Sequence, residues 1–124
     1  GLLLLIVIVL VVLNRGGGDS LPASISVQEA SERINNGAFL LDVREPSEWS
    51  EAHIDGAVLI PLGELSSRVA ELPTDQDILI ICRSGNRSGQ ARDLLSSAGL
   101  TQTTSISGGI NTWISAGLPV VTGP

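Results

Sequence analysis

The 124-residue sequence contains one cysteine, one histidine and neither methionine nor tyrosine. A single cysteine excludes an intramolecular disulfide, so nothing in the chain requires an oxidising compartment. One cysteine and one histidine are also too few ligands for a structural zinc site. We therefore expect neither a metal nor any other cofactor.

Basic and aromatic residues are also scarce. Seven Lys and Arg residues stand against thirteen Asp and Glu, which gives a formal net charge of −6 and argues against a nucleic-acid-binding protein. The aromatic residues are Phe39, Trp49 and Trp113, so stacking platforms for bases are not expected. The length leaves room for one domain of about a hundred residues, with a core of Leu, Ile, Val and Ala.

Twelve uninterrupted apolar residues, Leu2 to Leu13, stand near the amino terminus. As a helix they would measure about 18 Å, short of the roughly 30 Å hydrocarbon core of a bilayer. That length suits a signal-like segment or part of a membrane anchor, and a buried strand is the alternative. We expect residues 1–13 to tether the protein to a membrane of the bacterial inner-membrane type, on either face, and residues 14–23 to be a flexible linker.

Short apolar runs alternate with helical patterns along residues 24–124. Ser26 and Glu29 predict a capping box at the first helix. Strands that alternate with helices predict an α/β fold with a mainly parallel central sheet and helices on both of its faces. The predicted strands are Phe39 to Val43, Ala57 to Ile60, Ile78 to Cys82 and Thr103 to Ile106, and the predicted helices are Val27 to Ile34, Pro46 to Ser50, Leu65 to Leu72, Ser88 to Ala98 and Asn111 to Ala116.

The predicted strand Ile78 to Ile81 leads directly to the only cysteine, Cys82. A polar loop, Arg83 to Arg87, connects it to the helix from Ser88. This arrangement directs backbone N–H groups and a helix N-terminus at one anion, at the strand end where parallel sheets carry their active groups. A thiolate accepts those hydrogen bonds better than a thiol does, so we interpret Cys82 as an activated nucleophile.

The alternative for a lone cysteine is a small buried hydrophobe without chemistry. That alternative accounts for a cysteine within a strand. It does not account for one that is followed at once by R-S-G-N-R, with two cations beside the same thiol. Within this loop, Gly85 is expected to adopt an unusual backbone angle that lets the N–H groups converge.

Four stretches resemble segments of the rhodanese-domain sulfurtransferases. The loop C-R-S-G-N-R-S from Cys82 resembles the active-site loop of that family. The run L-D-V-R-E-P-S-E-W from Leu41 resembles its L-D-V-R-E-x-x-E-aromatic segment, and A-H-I-D-G-A from Ala52 resembles its G-H-I-x-G-A segment. The run G-G-I-N-T-W from Gly108, followed by A-G-L-P-V from Ala116, resembles its closing segment.

These stretches lie between Leu41 and Val120 in the family's order, and we take the resemblance to extend over Ile25 to Val121. Ala52 stands where the family commonly has glycine and Asp55 where it commonly has proline, and both lie away from the thiol loop. The resemblance implies a rhodanese-like fold and a sulfurtransferase. Such an enzyme moves sulfane sulfur from a donor such as thiosulfate to cyanide, a thiol or a protein, through a persulfide on Cys82. We expect the folded domain to be monomeric.

The resemblance also implies roles for individual residues. Cys82 is the nucleophile, and Arg83 and Arg87 bind the anionic donor or lie at the rim of the pocket. For His53 a structural hydrogen bond is favoured over a role as general base, because a preformed thiolate needs no base. The expected substrate-binding residues are Arg83, Ser84, Gly85, Asn86, Arg87 and Ser88, and the expected supporting residues are Asp42, Arg44, His53 and Trp113.

Two other functions are alternatives. Cysteine phosphatases that resemble rhodaneses use a C-x5-R loop, whereas four residues separate Cys82 from Arg87 and Ser88 holds the position of the phosphatase arginine. The shorter loop suits one sulfur atom better than the four oxygens of a phosphate. The other alternative is a non-catalytic rhodanese-like binding or regulatory module at a membrane, against which the intact cysteine loop argues.

Overall fold

Residues 21–124, the part of the chain that the computed structural model describes, form five strands and five α-helices. The strands are β1 (Ser24–Ile25), β2 (Phe39–Asp42), β3 (Val58–Leu59), β4 (Ile78–Ile81) and β5 (Thr103–Ile106). The helices are α1 (Val27–Asn35), α2 (Pro46–Glu51), α3 (Leu62–Leu65), α4 (Asn86–Ser97) and α5 (Gly109–Ser115), with a 3-10 helix at Val69–Glu71.

The strands form one parallel sheet in the order β1-β5-β4-β2-β3, which confirms the predicted α/β fold with a parallel sheet. Strand β4 lies at the centre, and all four of its residues are buried, as its continuous apolar run predicts. On its two sides, Ile80 pairs with Leu41 of β2 and with Ser105 of β5. The carboxyl ends of three strands therefore lie side by side where Cys82 follows β4.

Successive side chains of a strand point to opposite faces, and two apolar clusters cover the two faces of the sheet. One cluster packs α1 and α5 against Leu79 and Ile81 of β4. The other packs α3 and α4 against Ile78 and Ile80, and it includes Cys82. The cysteine therefore lies on the α4 side of the sheet.

Of the two hydrogen bonds of the capping box predicted at the first helix, only one forms. The Ser26 Oγ accepts a hydrogen bond from the Glu29 N–H at 3.1 Å. The Glu29 carboxylate does not return to Ser26; it accepts from Arg33, one turn further along α1, at 3.3 Å. The reciprocal bond of a capping box forms at α2 instead. There Glu48, at the third position of the helix, accepts a hydrogen bond from the N–H of the capping residue Glu45 at 3.2 Å.

Two other helix predictions differ from the structure. The helix that follows the thiol loop begins at Asn86 rather than Ser88, because Gly85, at φ +113°, already turns the chain into it. The single helix predicted over Leu65 to Leu72 is broken into α3 and the 3-10 helix. At the break, the Arg68 side chain donates to Glu64 and Glu71 on either side and stabilises the two short segments.

The predicted membrane anchor, residues 1–13, and most of the predicted linker lie outside the described residues. Leu21 and Pro22, near the end of that linker, are attached to the domain. Their carbonyls accept hydrogen bonds from Arg92 at 3.1 Å and from the Thr104 hydroxyl at 2.7 Å. Within residues 21–124 we find no helix whose length and apolar content would let it cross a membrane.

Candidate active site around Cys82

Cys82 is buried, with 1% of its surface exposed, and the loop after it folds back over its sulfur. The Gly85 N–H donates to Sγ at 3.0 Å. Gly85 has a φ of +113°, in the left-handed region that favours glycine, as the sequence predicts. This backbone angle turns the Gly85 N–H inward, so that a peptide group rather than a side chain faces the thiol.

Ser88, in the first turn of α4, closes the other side of the sulfur. Its Oγ lies 3.4 Å from the Cys82 Sγ and 3.1 Å from the Gly85 carbonyl oxygen. The same oxygen lies 2.6 Å from the hydroxyl oxygen of Ser105 on β5. Ser88 is completely buried and Ser105 nearly so, so these contacts are shielded from water.

Hydrogen bonds lower the pKa of Cys82 below the ordinary value of 9.0. Burial is the largest single influence and raises the pKa, because it disfavours the charged thiolate. The Ser88 hydroxyl and the N–H groups of Ser88, Gly85 and Ser84 all lower it, and together they outweigh burial. The loop therefore stabilises the nucleophilic form of the sulfur.

The N-terminus of α5 is hydrogen-bonded to the backbone of the thiol loop. The Ile110 N–H donates to the Cys82 carbonyl at 2.9 Å, and the Asn111 N–H donates to the Arg83 carbonyl at 3.2 Å. A Cβ atom at Gly109 would lie 2.5 Å from the Cys82 carbonyl oxygen, which leaves no room for a side chain there. With these carbonyls engaged by α5, the N–H groups of the loop are free to face the sulfur.

The two loop arginines have different surroundings. Arg87 donates to both carboxylate oxygens of Glu48 on α2, at 2.7 and 2.9 Å. This hydrogen bond is the main reason why the pKa of Glu48 falls to about 2, although burial acts in the opposite direction. Arg83 is exposed and lines a cavity of about 110 Å³ beside the loop. The other residues of that cavity are Arg44, Glu48, Glu51, Ala52, Ile110, Asn111 and Ile114.

Asp42 and Arg44, predicted as supporting residues, form a buried ion pair at the end of β2. Arg44 Nε donates to the Asp42 carboxylate at 3.0 and 3.1 Å, and Nη2 donates to it at 2.8 Å. The same guanidinium donates to the Ala52 carbonyl at 2.8 Å and to the Glu48 carbonyl at 3.4 Å. The pair therefore fixes the end of α2, the helix that carries the partner of Arg87.

His53 and Trp113 make structural contacts away from the sulfur. The His53 ring stacks on Trp49 with a centroid separation of 3.7 Å, and its Nδ1 lies 2.9 Å from the Trp49 carbonyl oxygen. The Trp113 Nε1–H donates to the Pro119 carbonyl at 2.9 Å. Trp113 belongs to the apolar cluster on the opposite face of the sheet from Cys82 and lines a separate cavity of about 260 Å³.

The structure thus brings together Cys82 and the loop residues that the sequence singles out, with Ser84 and Asn86 exposed on the outer side of the loop. It adds three residues that sequence reasoning gave no role: Glu48, Ser105 and Gly109. Glu48 and Gly109 lie within stretches that carry the family resemblance, which is a usable signal. Ser105 lies in an ordinary run of strand residues with no signal of its own.

Among residues 21–124, no three His, Cys, Asp or Glu side chains are grouped so that they could hold a metal ion.

Comparison with known proteins identifies the class to which this fold and site belong. The family model of the rhodanese-like domain matches residues 26–116. A sulfurtransferase of Allochromatium vinosum is 35% identical over 99 residues, which cover 78% of this chain and 92% of that protein. Thiosulfate sulfurtransferase 16 of Arabidopsis thaliana is 33% identical over 114 residues, covering 80% of this chain and 92% of that protein.

A solved structure agrees with these sequences. The rhodanese-related protein from Thermoplasma volcanium superimposes with a TM-score of 0.76 at 38% identity, over 81% of this chain and 98% of that chain. For several other curated relatives the match covers only part of their length, between 24% and 60%. The chain belongs to the rhodanese-like domain family, and its sulfurtransferase-named relatives support assignment to the rhodanese-type sulfurtransferases.

Proposed function

We propose that this domain transfers sulfane sulfur from a thiosulfate-like donor to a thiophilic acceptor through a persulfide on Cys82. The observation that carries the proposal is the buried Cys82 Sγ, which accepts a hydrogen bond from the Gly85 N–H at 3.0 Å and lies 3.4 Å from the Ser88 hydroxyl oxygen. A sulfurtransferase from Allochromatium vinosum and a thiosulfate sulfurtransferase from Arabidopsis thaliana among the relatives support the reaction and the donor.

The first half of the reaction is a displacement at sulfur. The Cys82 thiolate attacks the outer, sulfane sulfur of thiosulfate and forms a new S–S bond. The bond between the sulfane sulfur and the sulfonate sulfur breaks, and sulfite leaves with its electron pair. The enzyme then carries Cys82–S–S⁻, whose terminal sulfur takes over the hydrogen bonds that the loop N–H groups gave to the thiolate.

The second half regenerates the enzyme. Cyanide or a thiolate attacks the terminal sulfur of the persulfide and forms a new bond to it. The S–S bond to Cys82 breaks, and its electron pair returns to Cys82 as a thiolate, which the loop again stabilises. The product is thiocyanate or a new persulfide on the acceptor. Neither half needs a general base, which agrees with the structural contacts of His53.

We assign capture of the anionic donor to Arg83 rather than to Arg87. Arg87 is engaged by both oxygens of Glu48, at 2.7 and 2.9 Å. Arg83 is exposed at the cavity beside the loop, and no side-chain hydrogen bond of Arg83 is formed within residues 21–124. A guanidinium with forked donors suits the oxygens of a sulfonate group.

Intact-mass spectrometry of the reduced protein after incubation with thiosulfate tests the proposal. We expect a gain of one sulfur atom, ~32 Da, that disappears on addition of cyanide or a thiol, as covalent catalysis through a persulfide requires. The Cys82→Ser variant is the control and should show no gain. A gain with a different sulfane donor alone would retain the reaction and replace thiosulfate. No gain with any sulfane donor would overturn the proposal in favour of a non-catalytic binding module.

A further inference from the structure

The hydroxyl of Ser105 on β5 is bonded to Ser88, and within residues 21–124 it forms no hydrogen bond with Cys82. The parallel register pairs Ser105 with Ile80, two residues before Cys82 on β4, and so places both side chains on the same face of the sheet. Ser105 is 6% exposed, and its Oγ lies 2.6 Å from the Ser88 Oγ. Within residues 21–124, this is the only hydrogen bond of the Ser105 side chain.

Ser88 has one hydroxyl proton and three neighbours that could accept it. These are the Cys82 Sγ at 3.4 Å, the Gly85 carbonyl at 3.1 Å and the Ser105 Oγ at 2.6 Å. When the sulfur is a thiol, its proton points to the Ser88 oxygen and the Ser88 proton is free to bond the Gly85 carbonyl. When the sulfur is a thiolate, the Ser88 proton must turn to it, since an anionic acceptor forms the stronger bond.

That turn leaves the Ser88 oxygen able to accept another hydrogen bond. The Ser105 hydroxyl is placed to donate it, and the two hydroxyl dipoles then point one after the other toward the sulfur. Hydrogen bonds in such a chain polarise one another, and burial strengthens the effect because water does not compete.

We propose that Ser105 is a positioning residue that donates to Ser88 and thereby orients the Ser88 hydroxyl toward the Cys82 thiolate. The inference deepens the proposed function by adding a second hydroxyl to the site. Its test does not require sulfur transfer, because it measures the ionisation of Cys82 itself.

The charged groups around the sulfur are the same with and without the Ser105 hydroxyl. Arg83 comes from the loop, and Arg87 from α4 is paired with Glu48 from α2. Asp42 and Arg44, at the end of β2, are paired with each other. Strand β5 and helix α5 contribute no titratable side chain. A change in Cys82 ionisation on substitution of Ser105 therefore reports on the hydroxyl chain.

The experiment follows the rate of Cys82 alkylation by iodoacetamide against pH in the wild type and in Ser105→Ala. We expect the midpoint to rise by about half a unit to one unit, which lowers the alkylation rate about three- to tenfold well below the midpoint. Ser105→Thr keeps the hydroxyl and should titrate close to the wild-type midpoint. Ser105→Val has nearly the volume of the threonine variant but no hydroxyl, and its midpoint should rise.

Thr104→Val is the matched control. Thr104 lies beside Ser105 on β5, but its hydroxyl donates to the Pro22 carbonyl at 2.7 Å. It should leave the alkylation midpoint unchanged even if it weakens the fold. The proposal is overturned if Ser105→Ala keeps the wild-type midpoint, if Thr104→Val moves the midpoint equally, or if Ser105→Thr and Ser105→Val titrate alike. The last comparison also decides the matter if Ser105→Ala does not fold. If the midpoint shifts as expected but no sulfur is loaded, the proposed function fails and the hydroxyl chain stands.

Discussion

Arg87 in the first turn of α4 donates to both carboxylate oxygens of Glu48 on α2, a residue 39 positions earlier in the chain. The end of α2 is in turn fixed by Arg44, which is paired with the buried Asp42 carboxylate. Two ion pairs in series therefore connect the end of β2 to the start of the helix that carries the thiol loop. The loop is supported by this connection on one side and by the N-terminus of α5 on the other.

Substitution of Glu48 by Gln is expected to weaken the fold near neutral pH and to have little effect in acid. The hydrogen bond from Arg87 is the main cause that holds the pKa of Glu48 at about 2, against an ordinary value of 4.5. A carboxyl with a lowered pKa in the folded state stabilises the fold above its unfolded pKa, and this contribution is lost as the pH falls through the folded pKa. The shift corresponds to about 3 kcal/mol, which solvent screening should reduce to about 1–2 kcal/mol.

Denaturant unfolding of the wild type and Glu48→Gln measures this difference as the pH is lowered from neutral through 4.5 towards 2. The two proteins should differ in free energy of unfolding at neutral pH and converge in the acid range. Glu51→Gln, an exposed carboxylate on the same helix, is the control and should follow the wild type. A difference that does not change with pH would show that the ion pair is not its cause.

Substitution of Gly109 by Ala is expected to displace the thiol loop. The new Cβ would lie 2.5 Å from the Cys82 carbonyl oxygen and 2.6 Å from the Arg83 carbonyl oxygen, so backbone must move. We expect a loss of about 1–3 kcal/mol in the free energy of unfolding and a strong loss of sulfur loading on Cys82. Denaturant unfolding and intact-mass spectrometry measure the two effects.

Gly117→Ala separates the displacement from simple backbone strain. Gly109 and Gly117 both have positive φ, at +59° and +77°, but a Cβ at Gly117 has no neighbour within 4 Å. Gly117→Ala should therefore be destabilised by strain and still load sulfur normally. Equal loading by the two variants would contradict the role that we give to Gly109.

How much of this site is predictable from the sequence depends on whether the contacts are local. Cys82, its loop and the turn at Gly85 are encoded within a few neighbouring residues, and the strand–loop–helix pattern locates them. The partner of Arg87 is not encoded in this way, because Glu48 lies 39 positions earlier in the chain and meets Arg87 only in the folded domain. The sequence alone therefore leaves both loop arginines as candidates for binding the donor.

The roles of Ser105 and Gly109 could not be predicted from the sequence either. Ser105 reaches Ser88 because β4 and β5 pair in one particular parallel register, which the pattern of apolar residues does not specify. The crowding at Gly109 arises because two carbonyls of the thiol loop pack against the start of α5. The fold class was predictable because alternating strands and helices constrain topology, whereas the pairing of side chains across elements depends on tertiary packing.

Substitution of Arg83 by Gln is expected to slow sulfur loading from an anionic donor. If Arg83 attracts the sulfonate group, its loss should lower the second-order rate of loading from thiosulfate by about tenfold, and added salt should reduce the difference. Alkylation of Cys82 by uncharged iodoacetamide should change much less. Arg68→Gln, which removes a cation paired with Glu64 and Glu71, is the control. Equal slowing of both reagents would assign Arg83 to the ionisation of the thiol instead.

Substitution of Asp42 by Asn is expected to destabilise the domain strongly. Asp42 is completely buried and Arg44 is 3% exposed, so the variant would leave a buried guanidinium without its counter-charge. Removal of one partner of such a pair costs about 3–5 kcal/mol, whereas joint replacement by apolar residues costs much less. Denaturant unfolding should rank Asp42→Asn below the double variant Asp42→Leu, Arg44→Met. The reverse order would show that the hydrogen bonds of Arg44 to α2 matter more than the charge balance.

The adjacent threonines of β5 should respond in opposite ways to the same substitution. The Thr103 Oγ1 is buried and forms no hydrogen bond within the described part of the chain, whereas the Thr104 Oγ1 donates to the Pro22 carbonyl at 2.7 Å. Replacing a buried, unsatisfied hydroxyl by a methyl group of similar size removes a desolvation cost, so Thr103→Val should raise the free energy of unfolding by up to about 1 kcal/mol. Thr104→Val leaves a carbonyl without its donor and should lower the free energy by about 1 kcal/mol. Denaturant unfolding of the two variants side by side tests both expectations. If Thr103→Val loses as much stability as Thr104→Val, the Thr103 hydroxyl has a hydrogen-bond partner in solution.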